Sequence, residues 1–131
     1  MRKVAAHYLH LFPGSVLTGL YYLTLNNEGF YCGHEELKCE IESVTFYNGI
    51  LFLIEKELDA SPASILSELH CLQRQNPVLS AFQIIDLSGY AVQDILNCRK
   101  AVDIILLDGL DLSSPKFCTD DGCCYGHIQR L

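Results

Sequence analysis

From Lys3 to Ile54 the apolar positions come in short runs separated by turn residues: "KVAAHYLHL", "VLTGLYYLTLN", "GFYCG" and "ESVTFYNGILFLI". These runs are rich in Val, Tyr, Phe, Thr and Leu, the residues that suit a pleated, half-buried surface, so the pattern predicts strands. "NNEG", Asn26 to Gly29, is a hairpin turn signal, because Asn and Gly tolerate the positive φ that tight hairpins need. Asn48-Gly49 between apolar runs predicts a second reversal, over Tyr47 to Ile50.

The period then changes. Ser61 followed by Pro62 starts a helix, since the hydroxyl caps free N–H groups and Pro fits the first helical position. Ile65, Leu66, Leu69 and Leu72 recur at helical spacing until "QNP" stops the run near Asn76. Ser80 caps a second helix carrying Phe82, Ile84, Ile85 and Leu87; Ser88-Gly89 interrupts it, and "YAVQDIL" continues to Leu96. "AVDIILLDGLDL", Ala101 to Leu112, is a nearly continuous apolar strand, and "CCYGHIQRL" is a weaker final one. The expected fold is α+β: a small, mostly antiparallel sheet or sandwich built from N- and C-terminal strands, with two to three helices packed on it. One domain is expected over 1–131, with strands in 1–54, helices in 61–97 and returning strands in 101–131. The strand of Asp103 to Leu107 is expected to join the sheet of the first fifty residues, because each would otherwise expose an apolar face.

Composition narrows the function classes. With 131 residues, 50% of them hydrophobic, the chain can bury a sizeable core without staples. A formal net charge of −7, with no basic run beyond Arg99-Lys100, argues against nucleic acid as a partner. No apolar run approaches the roughly 20 residues that span a bilayer, so no membrane partner is expected. The opening "MRKVAAHYLHLFPGS" interposes His7, Tyr8 and His10 where a signal peptide has its apolar region, which makes a cytoplasmic setting the expectation. In that compartment the seven cysteines are expected to be mostly reduced, partly buried thiols rather than a disulfide framework.

Candidate chemistry is sparse. "CTDDGCCYGHIQ" places Cys118, Cys123, Cys124 and His127 within ten positions, and thiolates with imidazole are ligands zinc accepts. Their spacing, Cys-x₄-Cys-Cys-x₂-His, matches zinc fingers and knuckles poorly, so an exposed hairpin with incidental thiols is the favoured reading and no metal is assigned. His7 and His10, three apart on a strand, should point to opposite faces. His34-Glu35-Glu36 reads as a solvated turn lacking the second histidine of a His-Glu-x-x-His site. His70 and Cys71 adjoin on a helix as packing residues, and Glu55, Glu57 and Asp59 suit an exposed face. With no Gly-rich phosphate loop and no Gly-x-Ser-x-Gly elbow, no catalytic residue and no cofactor is expected.

In order along the chain, "RKVAAHYLHLFPGSVLTGLYYLTLNNEG", "FYNGILF", "SILSELHCLQRQNPVLSAFQIIDLSGYAVQDIL" and "DIILLDGLDLSSPKF" with "IQRL" resemble segments of the amidohydrolase superfamily of metal-dependent hydrolases. The likeness covers Met1 to Leu51 and Ile65 to Leu131. It implies the composite sheet domain and last barrel helices of that family with most of the (β/α)₈ barrel deleted, since such a barrel takes about 250 residues. Where the family's first His-x-His metal motif belongs, this chain has "FLIEKELDAS", so no family site residue carries over. The expected function is a non-catalytic binding or assembly domain. Two alternatives stand beside it: a metal-dependent hydrolase whose site another subunit completes, and a small Cys/His metal or redox module. Loss of the barrel also implies uncovered apolar surface, and hence a homodimer through the helix face of Ile65, Leu69, Leu72, Ile84 and Leu87.

Overall fold

Pro13 and Gly14 close the first strand onto the second: β1 (Arg2–Phe12) pairs antiparallel with β2 (Ser15–Leu25), from Arg2 opposite Leu25 to Phe12 opposite Ser15. The computed structural model describes residues 1–38, 43–118 and 123–131. The expected turn at Asn26 to Gly29 forms. The Asn26 side-chain oxygen accepts from the N–H groups of Glu28 and Phe30, and Gly29 takes φ 86°, which brings β3 (Tyr31–Glu36) back along β2.

The next strand, β4 (Val44–Glu55), lies on the other side of β1 and runs parallel to it, from Lys3 opposite Val44 to Leu9 opposite Leu51. Its second half pairs antiparallel with β5 (Val102–Asp108), and β6 (His127–Arg130) adds to β5. The result is one six-stranded, mostly antiparallel sheet in the order β3-β2-β1-β4-β5-β6, with head and tail strands joined as expected.

Asn48-Gly49 does not reverse the chain. Strand β4 passes straight through it, and the dipeptide instead supplies a bulge: Ala6 faces Tyr47 and Tyr8 faces Ile50, so one residue of β1, His7, spans two of β4. Gly49 has φ 149°, and a Cβ built there would stand 2.4 Å from the Leu107 carbonyl oxygen. Here Asn-Gly marks a close approach of two backbones rather than a hairpin.

Two helices form between β4 and β5. Helix α1 (Pro62–Gln75) is capped by the Ser61 hydroxyl and ends at Asn76; α2 (Ala81–Ser88) opens with a capping box between Ser80 and Gln83 and ends at Gly89, φ 75°. The expected continuation of helix to Leu96 is replaced by an irregular segment with a short 3₁₀ turn, Ile95–Asn97. The left-handed Gly89 stops the helix, and the segment then carries Val92, Ile95 and Cys98 to the opposite side of the sheet.

Both faces of the sheet are therefore buried in its central strands. On one face Ile50, Phe52, Ile54, Ile105 and Leu107 pack under Ile65, Leu69, Ile84 and Ile85 of the helices. On the other, Leu9, Leu23, Leu51, Leu53, Ile104 and Leu106 pack with Val92, Ile95 and Cys98. This corrects the expected dimer face. Ile65, Leu69 and Ile84 are fully buried in the chain's own core, Leu72 is half-buried against it, and of the five only Leu87, 53% accessible, is exposed. The apolar helix-side face of β4 and β5 takes up that cover, so of the five only Leu87 faces solvent.

Gly49→Ala should lower unfolding stability by about 3 kcal/mol, since it adds a backbone clash to a disfavoured φ. Urea denaturation checks this, and the neighbouring, exposed Asn48→Ala should cost under about 1 kcal/mol.

Candidate functional site

The bulge opposite His7 sets up an open hollow on the sheet. Because β1 is one residue short of both its neighbours there, His7 and Tyr8 line the same hollow, of about 300 Å³, with Thr18, Leu20, Phe46 and Leu112. The expected placement of His7 and His10 on opposite faces is thereby overturned: alternation breaks at His7, and Tyr8 and His10 both meet the Phe82 ring of α2. His7 itself is exposed, edge-on to the Phe46 ring at 5.2 Å between centroids.

This hollow lies where the helices end. Ala5 pairs with Tyr22 on one side and Phe46 on the other, placing Leu20, Tyr22 and Phe46 on the helix-covered side of the sheet but beyond the helices. Leu20 is 57% and Phe46 47% accessible. The polar rim includes Lys3, whose ammonium sits 5.7 Å from the Tyr22 ring centroid, and Glu35, which accepts from the Tyr22 hydroxyl at 2.8 Å. In β2 apolar residues occupy both alternation phases: Tyr21 and Leu23 face the second core, while in the other phase Tyr22 is covered and Leu20 is exposed. That doubled phase is the sequence signal for the open patch.

His10 is only 2% accessible, and both its ring nitrogens are committed. Nε2 lies 2.7 Å from Asp86 Oδ1 and Nδ1 3.1 Å from the Ser15 carbonyl, while the Gly14 N–H donates to the other Asp86 oxygen at 2.8 Å. This triangle ties the β1–β2 turn to the end of α2. Asp86 carried no sequence signal, since its partners lie more than seventy positions away. His34 stands on strand β3, which corrects the expected turn. Its Nδ1 shares a hydrogen bond of 2.6 Å with the Tyr31 hydroxyl, and its ring packs among those of Phe12, Tyr21 and Tyr31. Burial pushes the Tyr31 phenol up to about 12.

A cleft of about 680 Å³ opens beside the irregular segment after Gly89, lined by Glu55, Glu68, Tyr90, Cys98, Arg99 and Lys100 among others. Its carboxylates have partners: Glu55 pairs with Lys100 at 3.6 Å, and Glu68 accepts from the Tyr90 hydroxyl. That hydrogen bond, with burial and the Glu68 charge, holds the Tyr90 phenol above its ordinary range. Glu57 and Asp59 are exposed outside the cleft.

The four candidate metal ligands do not assemble. Cys118 and Cys124 meet, with their sulfurs 2.9 Å apart, and Cys123 is exposed beside them. His127 instead flanks Asp108 in a separate hollow with Asn48 and Gly49. Among the described residues no group of three or more His, Cys, Asp or Glu side chains converges as a metal site would. The hairpin expected across this stretch falls in part on 119–122, outside the described residues. His70 and Cys71 separate on α1: Cys71 is exposed, while His70 Nε2 donates to the Tyr125 carbonyl at 2.6 Å and so docks the tail segment on the helix.

No protein-family model, no curated protein and no solved structure matches this chain. The amidohydrolase resemblance has no counterpart in these comparisons.

Asp86→Ala should cost roughly 1.5–3 kcal/mol, because it strips a charge-assisted partner from a buried imidazole and from the Gly14 N–H. The check is the urea midpoint. Stability should also fall as pH rises from 10 to about 12. In that window the unfolded chain releases the Tyr31 proton while the fold retains it, so deprotonation draws the equilibrium toward the unfolded state. Urea midpoints measured across the window should fall less steeply in Tyr31→Phe.

Proposed function

We propose that the chain is a non-catalytic assembly domain, acting in the cytoplasm, which docks a second copy of itself through the half of the sheet that the helices leave uncovered. The observation that carries this reading is the pair of exposed apolar side chains, Leu20 and Phe46, around one hollow on an otherwise well-buried sheet. The surrounding Lys3, Glu35 and His7 give it a polar rim, the arrangement of a docking patch. A stable interface buries roughly 1,200–2,000 Å², so contact centred on Phe46 and Leu20 extends over the Lys3 and Glu35 rim toward edge strand β3.

The non-catalytic part of the reading is supported by how the ionisable groups are used. His10 has both ring nitrogens bonded within the chain, His70 holds the tail segment, and the cleft carboxylates are taken up by Lys100 and Tyr90. A general base needs a nitrogen or carboxylate within reach of substrate. The net charge of −7 disfavours a nucleic-acid partner.

Light scattering behind a sizing column tests the assembly. Wild-type protein at tens of micromolar should run as a dimer. Phe46→Glu and Leu20→Glu should each give a monomer with unchanged circular dichroism, and Leu87→Glu, on the exposed side of α2, should leave the dimer intact. A wild-type monomer, or a dimer indifferent to both sheet substitutions, overturns the reading.

A further inference from the structure

Phe117 and Cys118 lie alongside Cys124 and Tyr125 against α1. Cys118 and Cys124 form an isolated antiparallel bridge, and the Tyr125 N–H donates to the Phe117 carbonyl just outside it. That pattern makes the two cysteines a narrow, non-hydrogen-bonded pair, whose Cα atoms stand about 4.5 Å apart. A disulfide accepts Cα separations of roughly 4.4–6.8 Å. Backbone and side chains agree, since the sulfurs already stand 2.9 Å apart and bond formation needs a closure of under about 1 Å.

The two thiols differ in surroundings. Cys124 is half-buried, and the Arg74 guanidinium of α1 donates to its sulfur at 2.9 Å, setting a fixed positive charge against the atom that must carry negative charge in an attack. Cys118 is buried behind it, its sulfur 3.8 Å from the His70 carbonyl. Burial, then the hydrogen bond and charge of Cys124, push the Cys118 thiol up to about 11, with Arg74 pulling the other way. One thiol is accessible and electrostatically assisted, and the other is withheld from solvent within bonding reach of the first.

We propose that Cys118 and Cys124 form a thiol–disulfide exchange site, with Cys124 as the attacking thiol and Cys118 as the resolving thiol, taking low-molecular-weight disulfides as oxidants. Cys124 loses its proton and attacks one sulfur of the oxidant; that disulfide breaks, a mixed disulfide forms on Cys124, and the first leaving thiolate takes up the proton. Cys118 then loses its proton and attacks the Cys124 sulfur, forming the intramolecular disulfide and expelling the second thiolate, which is protonated in turn. Two electrons pass from the protein to the oxidant, and a small dithiol reverses the sequence. In a reducing compartment the pair rests as thiols.

Glutathione disulfide is the probe. Reduced full-length protein is incubated with it, blocked with N-ethylmaleimide and mapped by peptide mass. The expected product is a Cys118–Cys124 cross-link with no net glutathione at either position, reversed by dithiothreitol. Cys118→Ser should accumulate a glutathione adduct on Cys124, Cys124→Ser should leave Cys118 unmodified over the same time, and Arg74→Gln should slow the first step by roughly tenfold. Cys123→Ser should leave the cross-link unchanged. The proposal is overturned if wild-type protein forms no Cys118–Cys124 link, if Cys123 is the partner instead, or if Cys118 in the Cys124→Ser protein is modified as fast as Cys124 in the Cys118→Ser protein. The wild-type map needs no substitution, so a variant that fails to fold does not leave the question open.

Discussion

Strand β4 has to satisfy hydrogen bonds along two edges while burying two faces, and the rest of the architecture follows from how it does so. Its first half pairs with β1, its second with β5, and only Ile50 and Leu51 have a partner on both sides. That offset staggers β5 and β6 toward one end of the sheet, while β2 runs the length of β1 and β3 pairs only at the other end. Helices α1 and α2 cover the β5 end, where Ile50, Phe52 and Ile54 project. The irregular segment after Gly89 fills beneath the other face, where its Val92 N–H donates to the Leu53 carbonyl. The uncovered patch at Leu20 and Phe46 is the remainder of this geometry: the region the stagger carries beyond the helices.

Much of this was legible in the chain. Ser61-Pro62, Ser80 with Gln83, and Gly89 mark helix ends by local chemistry, and each acts where it stands. The strands were legible because their periodicity is local too. What failed was whatever depends on distant neighbours. Asn48-Gly49 has the composition of a hairpin, but its conformation is decided by the Leu107 backbone, distant in sequence. "YAVQDIL" has helical spacing, yet Gly89 and the apolar demand of the far sheet face pull it open. The helix residues Ile65, Leu69 and Ile84 were read as an interface because the missing barrel implied an uncovered apolar face; amphipathic spacing shows that a face is buried without saying what buries it.

The same divide separates the chemistry. Cys118, Cys123, Cys124 and His127 looked like one group because they are close in sequence, and the structure divides them: two thiols meet, and the imidazole goes to the Asp108 side of β5. The residues that give the thiol pair its asymmetry, Arg74 and His70, come from α1 and have no signature next to the cysteines. Likewise His10 acquires its significance from Asp86, across the fold. Short-range motifs show which groups are available, but the sheet decides which of them touch.

The parallel pairing of β1 with β4 also imposes an order of assembly. Strands β1, β2 and β3 are neighbours in sequence and can zip from their turns as soon as they leave the ribosome. The other edge of β1 has no partner until β4 has been synthesised, and Leu9 and Val4 have no second wall until then. The nascent meander therefore waits with an open, apolar-flanked edge, the condition that invites pairing with another chain. Closing the β1–β4 ladder is a long-range event that must bring Val44 back to Lys3, so it, rather than helix formation, sets the pace at which the chain escapes that exposure.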